Sequence, residues 1–208
     1  QASSVSDATD SSASDSASSS NESKDSSGSA ESTDSKTDSS TSSDDTENQL
    51  TADDMFSDRD LSGEYSECVD ITLSGSAASC PDSSVADGSI TITKAGTYKL
   101  SGTFTGQIIV NAGDSDKVQL VLDNASITKD GSAALYAINA DKVFVTTVSG
   151  TENTLAGTGE FTSSDNETNV DGAVFSKSDI TFNGNGTLNV TCESKHGIVT
   201  KDDLKITG

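Results

Sequence analysis

Acidic side chains dominate the chemistry open to this sequence. Its 208 residues hold 34 Asp and Glu, 12 Lys and Arg, one His and three Cys. Such a chain suits a hard cation such as calcium, which takes about six to eight oxygen ligands from carboxylates, side-chain amides and backbone carbonyls. Asp141, Asn169, Asp171, Asp179, Asp202 and Asp203 are the candidate metal ligands, with Asp114, Asp116 and Asp165 as further acids at turns. Each also reads as a solvated turn residue. The Asp-x-Asp-x-Asp-Gly spacing of an EF-hand is absent, so a site must draw ligands from segments distant in sequence. Lys177, Lys195, His196 and Lys201 are the candidate contacts to an anionic ligand. His196, the only His, reads first as a polar residue at a bend.

The cysteines make no zinc pattern. Cys68 and Cys80 flank "CVDITLSGSAASC", a strand and turn that a disulfide could close, and they read equally as two small unpaired residues. Cys192 reads as a small packing residue.

Composition divides the chain. Residues 1–50 contain twenty Ser, five Thr and eleven acids, with Lys24 and Lys36 as their only bases. So little apolar surface cannot offset the entropy of ordering, and residues 1–54 are expected to be a disordered, extended acidic stalk. Stalks of this kind commonly lie between an export signal or surface anchor and a folded domain. The chain begins at Gln1 and stops in mid-pattern at Gly208, which reads as a clipped fragment of a longer protein. The formal charge of −22 argues against nucleic acid as a partner, since phosphates would be repelled. No apolar run is long enough to span a membrane, so anchoring would use lipid or cell wall upstream.

From Leu61 onward, period-two apolar runs bounded by Gly, Asn, Asp and Ser predict an all-β region. These runs repeat. "DKVQLVL" (116–122), "DKVFVTT" (141–147), "SDITFNG" (178–184) and "DDLKITG" (202–208) align Val118, Val143, Ile180 and Leu204. "AALYA", "GAVFS" and "HGIVT" align Leu135, Val174 and Ile198. Residues 125–128, 153–155 and 187–190 supply a third strand per repeat. Strands repeated every ~24 residues predict a parallel β-helix, a solenoid whose like residues stack in ladders. The domain is expected to cover 55–208, with 61–87 as its N-terminal cap, coils from about 88, and an incomplete C-terminal end.

These same segments, with "DGSITITKAGTYKLSGTFTGQIIVNAGDSDKVQLVLDNASIT" (87–128), resemble a clostridial family of secreted carbohydrate-binding domains. The resemblance spans about residues 55–208. It implies a right-handed parallel β-helix related in shape to pectate lyases, binding acidic plant polysaccharide such as polygalacturonate and carrying calcium.

Catalysis fits the residues less well. A pectate lyase needs a base, normally Arg, and the only Arg is Arg59, ahead of the repeats. Lys177, Lys195 or Lys201 could replace it only if strongly desolvated, since an ordinary Lys titrates near ~10.4. Asp202-Asp203 and His196-Gly197 resemble two polygalacturonase motifs in reversed order, and the matching Arg–Lys motif is missing. Trp is absent, and Tyr98, Tyr136, Phe144, Phe175 and Phe182 all fall in strands, so sugar contacts should be polar or ionic. Taken with these residues, the resemblance implies a monomeric, non-catalytic module that binds acidic polysaccharide with calcium outside the cell, at a bacterial surface. An adhesin-like structural module and a lyase completed by further coils are the alternatives. Removing residues 1–50 is expected to leave the unfolding midpoint unchanged within error. A clear drop in urea denaturation would show that the segment packs on the domain.

Overall fold

A computed structural model describes residue 51 and residues 55–81, 85–162, 164–165 and 168–208. Apart from Thr51, the expected stalk lies outside them. Contacts divide the chain into residues 1–46 and 47–208, and every described residue belongs to the second unit.

One short helix, α1 (Asp58–Leu61), precedes the strands. They are β1 (Cys68–Gly75), β2 (Ala77–Ser79), β3 (Val85–Ala86), β4 (Ser89–Ile92), β5 (Gly96–Thr105) and β6 (Gln107–Asn111). Next come β7 (Lys117–Asp130), β8 (Leu135–Asn139), β9 (Lys142–Thr147), β10 (Glu152–Thr158), β11 (Ser164–Asp165) and β12 (Thr168–Asn169). The last are β13 (Gly172–Ser176), β14 (Asp179–Gly184), β15 (Thr187–Cys192), β16 (His196–Thr200) and β17 (Leu204–Ile206).

The all-β expectation holds, but the parallel β-helix does not. The described strands form mixed sheets in which β1–β2, β3–β4 and β11–β12 are antiparallel. The physical reason lies in the connections. A single residue joins β1 to β2, and Asp87-Gly88, both at positive φ, join β3 to β4, and links so short permit only antiparallel return. Nor do the strands close into uniform coils. A nine-stranded sheet runs β17-β14-β9-β7-β5-β1-β2, and a separate six-stranded sheet runs β16-β13-β8-β6-β4-β3. β7 runs 14 residues unbroken and forks, its first half pairing with β9 and its second with β10, which carries β15.

Within these sheets the repeats do stack in the expected registers. Val118, Val143, Ile180 and Leu204 pair in turn, as do Leu135, Val174 and Ile198. Apart from Leu204, both rows point into one apolar core between the two large sheets, with Ile71, Leu100, Phe104, Ile108 and Leu120. The turn from β14 into β15 requires special backbone. Gly184 sits at φ +95, and a Cβ there would lie 2.3 Å from the Thr147 carbonyl oxygen, so only glycine fits. The far end of the core is open, with Leu204 and Ile206 exposed on the edge strand β17.

The outer face of the nine-stranded sheet is covered by residues 55–66. Gln119, Phe144 and Thr181 share one register row on that face, and Thr146 and Asn183 share the next. All five are buried. Ser57 caps α1, and its amide donates to Asp60 Oδ2 at 2.9 Å while its hydroxyl accepts from the Asp60 amide. The Asp60 carboxylate is fully buried and takes Lys142 Nζ at 2.6 Å, Lys205 Nζ at 3.1 Å and the Thr181 hydroxyl at 2.8 Å. Asn183 Nδ2 donates to the carbonyls of Arg59, Asp60 and Ser62, and Gln119 Nε2 to that of Glu64. The Arg59 guanidinium lies 4.6 Å from the centre of the Phe144 ring. This segment therefore straps the domain together across β7, β9, β14 and β17.

Burial alone would raise the Asp60 carboxyl. Lys142, the Ser57 amide and hydroxyl, and Thr181 outweigh it and hold the group well below the usual carboxylate range. A depressed folded value stabilises above the unfolded value of about 3.9 and loses that contribution as pH falls through it. Asp60→Ala should cost about 3–5 kcal/mol at pH 7, because two cations lose their buried partner. The deficit should shrink below about pH 4. Urea titrations at pH 7 and pH 3 that give equal losses would contradict this.

Candidate functional site

The outer face of the six-stranded sheet is the candidate site. Alternation sends Leu135, Val174 and Ile198 inward and turns their neighbours Tyr136, Phe175 and Val199 outward. Those three, with Ile109 of β6, share one register row. The Tyr136 and Phe175 rings meet edge to face at 5.7 Å and 79°. Val170 and Ala133 pack on them to make a second, smaller apolar cluster.

Two lysines frame this aromatic pair. Ser176 pairs with Thr200, so Lys177 and Lys201, one residue further on, leave neighbouring strands at the same level. Their amides donate to the Ala137 and Ser176 carbonyls, which continues the ladder. The Lys177 ammonium lies 5.8 Å from the Tyr136 ring centre, and Lys201 lies 5.5 Å from that of Phe175. Neighbouring strands are ~4.8 Å apart, so two positive groups project side by side above an aromatic floor.

The other two predicted contacts stand at the opposite end of β16. Lys195 and His196 are both exposed, and the His196 amide donates to the Asp171 carbonyl at 3.0 Å. From Lys195 to Lys201 is roughly 20 Å of extended chain. The structure thus places all four predicted residues along β13 and β16, in two groups at the ends of the strands. That spacing suits an extended ligand better than a single sugar.

The predicted metal ligands fall in three places. Asp141 is separate, its carboxylate paired with Lys117. Asn169 and Asp171 line a cavity of about 190 Å³ with Phe161, Thr162, Val170 and Lys195. Asp171 Oδ1 is buried there without a hydrogen-bond partner among the described residues. Asp179, Asp202 and Asp203 meet at a third point, where the Asp203 amide donates to Asp179 Oδ1 at 3.3 Å. Burial pushes the Asp179 carboxyl up, the Asp203 amide opposes this, and the charges of Asp202 and Asp203 add to the rise against Lys142. Among the described residues, no three His, Cys, Asp or Glu side chains gather so as to hold a metal ion. The predicted ligands therefore do not make one protein-built centre. What they offer is an orphaned buried oxygen at Asp171 and a carboxylate group at Asp179 that an added cation would relieve. The side chain of Asp165 lies outside the described residues.

Cys68 and Cys80 are not bridged. The β1–β2 register sets Thr72 opposite Ser79, which places Cys80 level with Ile71 and three positions from Cys68. That offset is roughly 10 Å along the strand, beyond the ~4.4–6.8 Å that a disulfide spans. Burial raises the Cys68 thiol, with Lys99 opposing and Asp70 adding.

Sequence reasoning missed the strap. Its one legible signal was Ser57-x-x-Asp60, a capping-box spacing with Asp in the usual Glu position.

Comparison with known proteins gives three findings. A family model described as "Carbohydrate-binding domain-containing protein" matches residues 86–208. A protein of that description from Acetivibrio thermocellus is 40% identical over 127 residues, 60% of this chain and 44% of the relative. The chain therefore spans less than half of that relative's length. A solved structure of a polysaccharide lyase-like protein from C. thermocellum, a gadolinium derivative, is similar at a TM-score of 0.63 and 35% identity, covering 67% of this chain and 58% of that one.

Exposed cation–π contacts contribute about 0.5–1 kcal/mol each. Replacing Lys177 and Lys201 together by Met should therefore cost no more than about 2 kcal/mol in urea denaturation. A much larger loss would make the pair structural.

Proposed function

The chain belongs to the carbohydrate-binding domain family, and from that premise we propose that it binds acidic polysaccharide non-catalytically, with calcium, outside the cell at a bacterial surface. The observation that carries this reading is the Lys177–Lys201 pair above the Tyr136–Phe175 rings. A uronate chain such as polygalacturonate offers carboxylates to the two ammonium groups, while the buried rings beneath serve to position those groups. Lys195 and His196, at the other end of β16, lengthen the surface to suit a polymer.

Net charge explains the need for a cation. A chain of −22 and a polyuronate repel within a Debye length of ~8 Å unless a counterion lies between them. Calcium taken by the orphaned Asp171 oxygen, with Asn169 lining the same cavity, would complete its shell with water and ligand oxygens.

A lyase reading has less support. Arg59 is the only Arg, and it lies over Phe144 on the other sheet, away from Lys177 and Lys201. The catalytic base would have to be a lysine on a solvated face.

Binding to polygalacturonate should disappear in chelator and return with calcium, but not with sodium chloride of equal ionic strength. Lys177→Glu with Lys201→Glu should weaken it at least tenfold in affinity electrophoresis. Undiminished binding in chelator would remove calcium from the mechanism, and undiminished binding by the Lys variants would remove this face.

A further inference from the structure

The strap that covers the nine-stranded sheet carries an exposed aromatic residue that the fold has no need to expose. Tyr65 is 40% accessible, whereas Tyr98 and Tyr136 are buried. It stands between two clefts. One, about 460 Å³, is lined by Gly63, Glu64, Ser149, Gly184 and Asn185 beside Tyr65. The other, about 400 Å³, has Asp58, Arg59, Ser62, Thr97 and Gln119 around Glu64 and Tyr65. Each volume falls in the range of small-ligand sites. The first lining is mainly hydroxyl, amide and carboxylate around one ring, and the second adds, with the carboxylates of Asp58 and Glu64, the Arg59 guanidinium, which already lies over Phe144.

The backbone beneath Tyr65 is fixed in place. The Glu64 carbonyl accepts from Gln119 Nε2 at 3.2 Å, and the Glu64 amide donates to the Ser62 hydroxyl at 3.1 Å. At Gly63 a Cβ would come within 2.9 Å of Gly184 Cα, so strap and sheet are in close contact there. A platform held this way loses little freedom when it binds.

We propose that Tyr65 and Glu64 form a second sugar site, selective for uncharged pyranose residues. The ring supplies a face for the C–H side of a pyranose, and Glu64, Asn185 and Ser149 accept from or donate to its hydroxyls. Asp58 and Glu64 at the rim disfavour uronates, sulfates and phosphates, the reverse of the preference at Lys177 and Lys201. The proposal rests on the carbohydrate-binding reading but assigns a different surface and a different charge class. A glycan that carries both neutral and acidic residues would then meet the outer faces of two different sheets.

The test uses the full chain and calorimetric titration with neutral hexasaccharides of glucose, mannose and galactose, and separately with hexagalacturonate. At least one neutral hexasaccharide should bind. Tyr65→Ala should weaken it tenfold or more, Tyr65→Phe should retain it, and Lys177→Ala with Lys201→Ala should leave it unchanged. Tyr65→Ala should leave the uronate titration unaltered, which also shows that the variant is folded. Loss of uronate binding in the wild type with neutral binding intact would defeat the acidic-glycan reading and leave this site standing. No neutral binding at millimolar ligand, or equal neutral binding in Tyr65→Ala, would overturn it.

Discussion

A single buried carboxylate organises this domain. Asp60 is removed from water with no solvent exposure, a state that costs several kcal/mol unless the charge is met by cations and donors. Lys142 at the start of β9, Thr181 in β14 and Lys205 in β17 meet it, so one charge ties three neighbouring strands to the chain's leading segment. Around it, Asn183 and Gln119 spend their amides on strap carbonyls, and Thr207 donates to the Asp60 carbonyl at 2.7 Å. The polar row on that face exists because the strap has unpaired backbone to satisfy, not because the face meets solvent.

The two outer faces consequently differ in kind. On the nine-stranded sheet the lysines are consumed: Lys142 and Lys205 face Asp60, and Lys99 lies within 4 Å of Asp70 and Asp123. On the six-stranded sheet Lys177 and Lys201 sit over rings, which hold an ammonium without neutralising it. Two ammonium groups are thus held against aromatic rings on one face of a strongly acidic chain. Carbohydrate binding by the family and the position of that charge are consistent with each other.

How much of this could be read in the sequence depended on whether residues repeat. The rows through Val143 and Val174 were legible because each strand recurs with its flanking turns, and the same repeat set Lys177 level with Lys201. The sheet class was not legible. Two of the three antiparallel pairs lie in residues 68–92, before the repeats begin, the third lies in the polar insertion between repeats, and the fork in β7 spans what reads as two separate strands. The strap was hidden for a further reason, since Asp60 meets partners 121 and 145 residues away and no local pattern encodes that. The metal set was read from residue type alone, and type does not reveal that Asp141 is already spent on Lys117.

The length of those contacts bears on the order in which the molecule assembles. Strands that pair with near neighbours in sequence can be added one after another as the chain emerges. Asp60 cannot finish its pairing until Lys205, 145 residues further on, is in place. Loop-closure entropy makes so distant a contact slow to form relative to the strand pairs beneath it. Until then α1 has little to hold it, because four helical residues are far too few to be stable alone. The strap is thus secured only after the strands it crosses, and its ordering reports that β9, β14 and β17 have found their places.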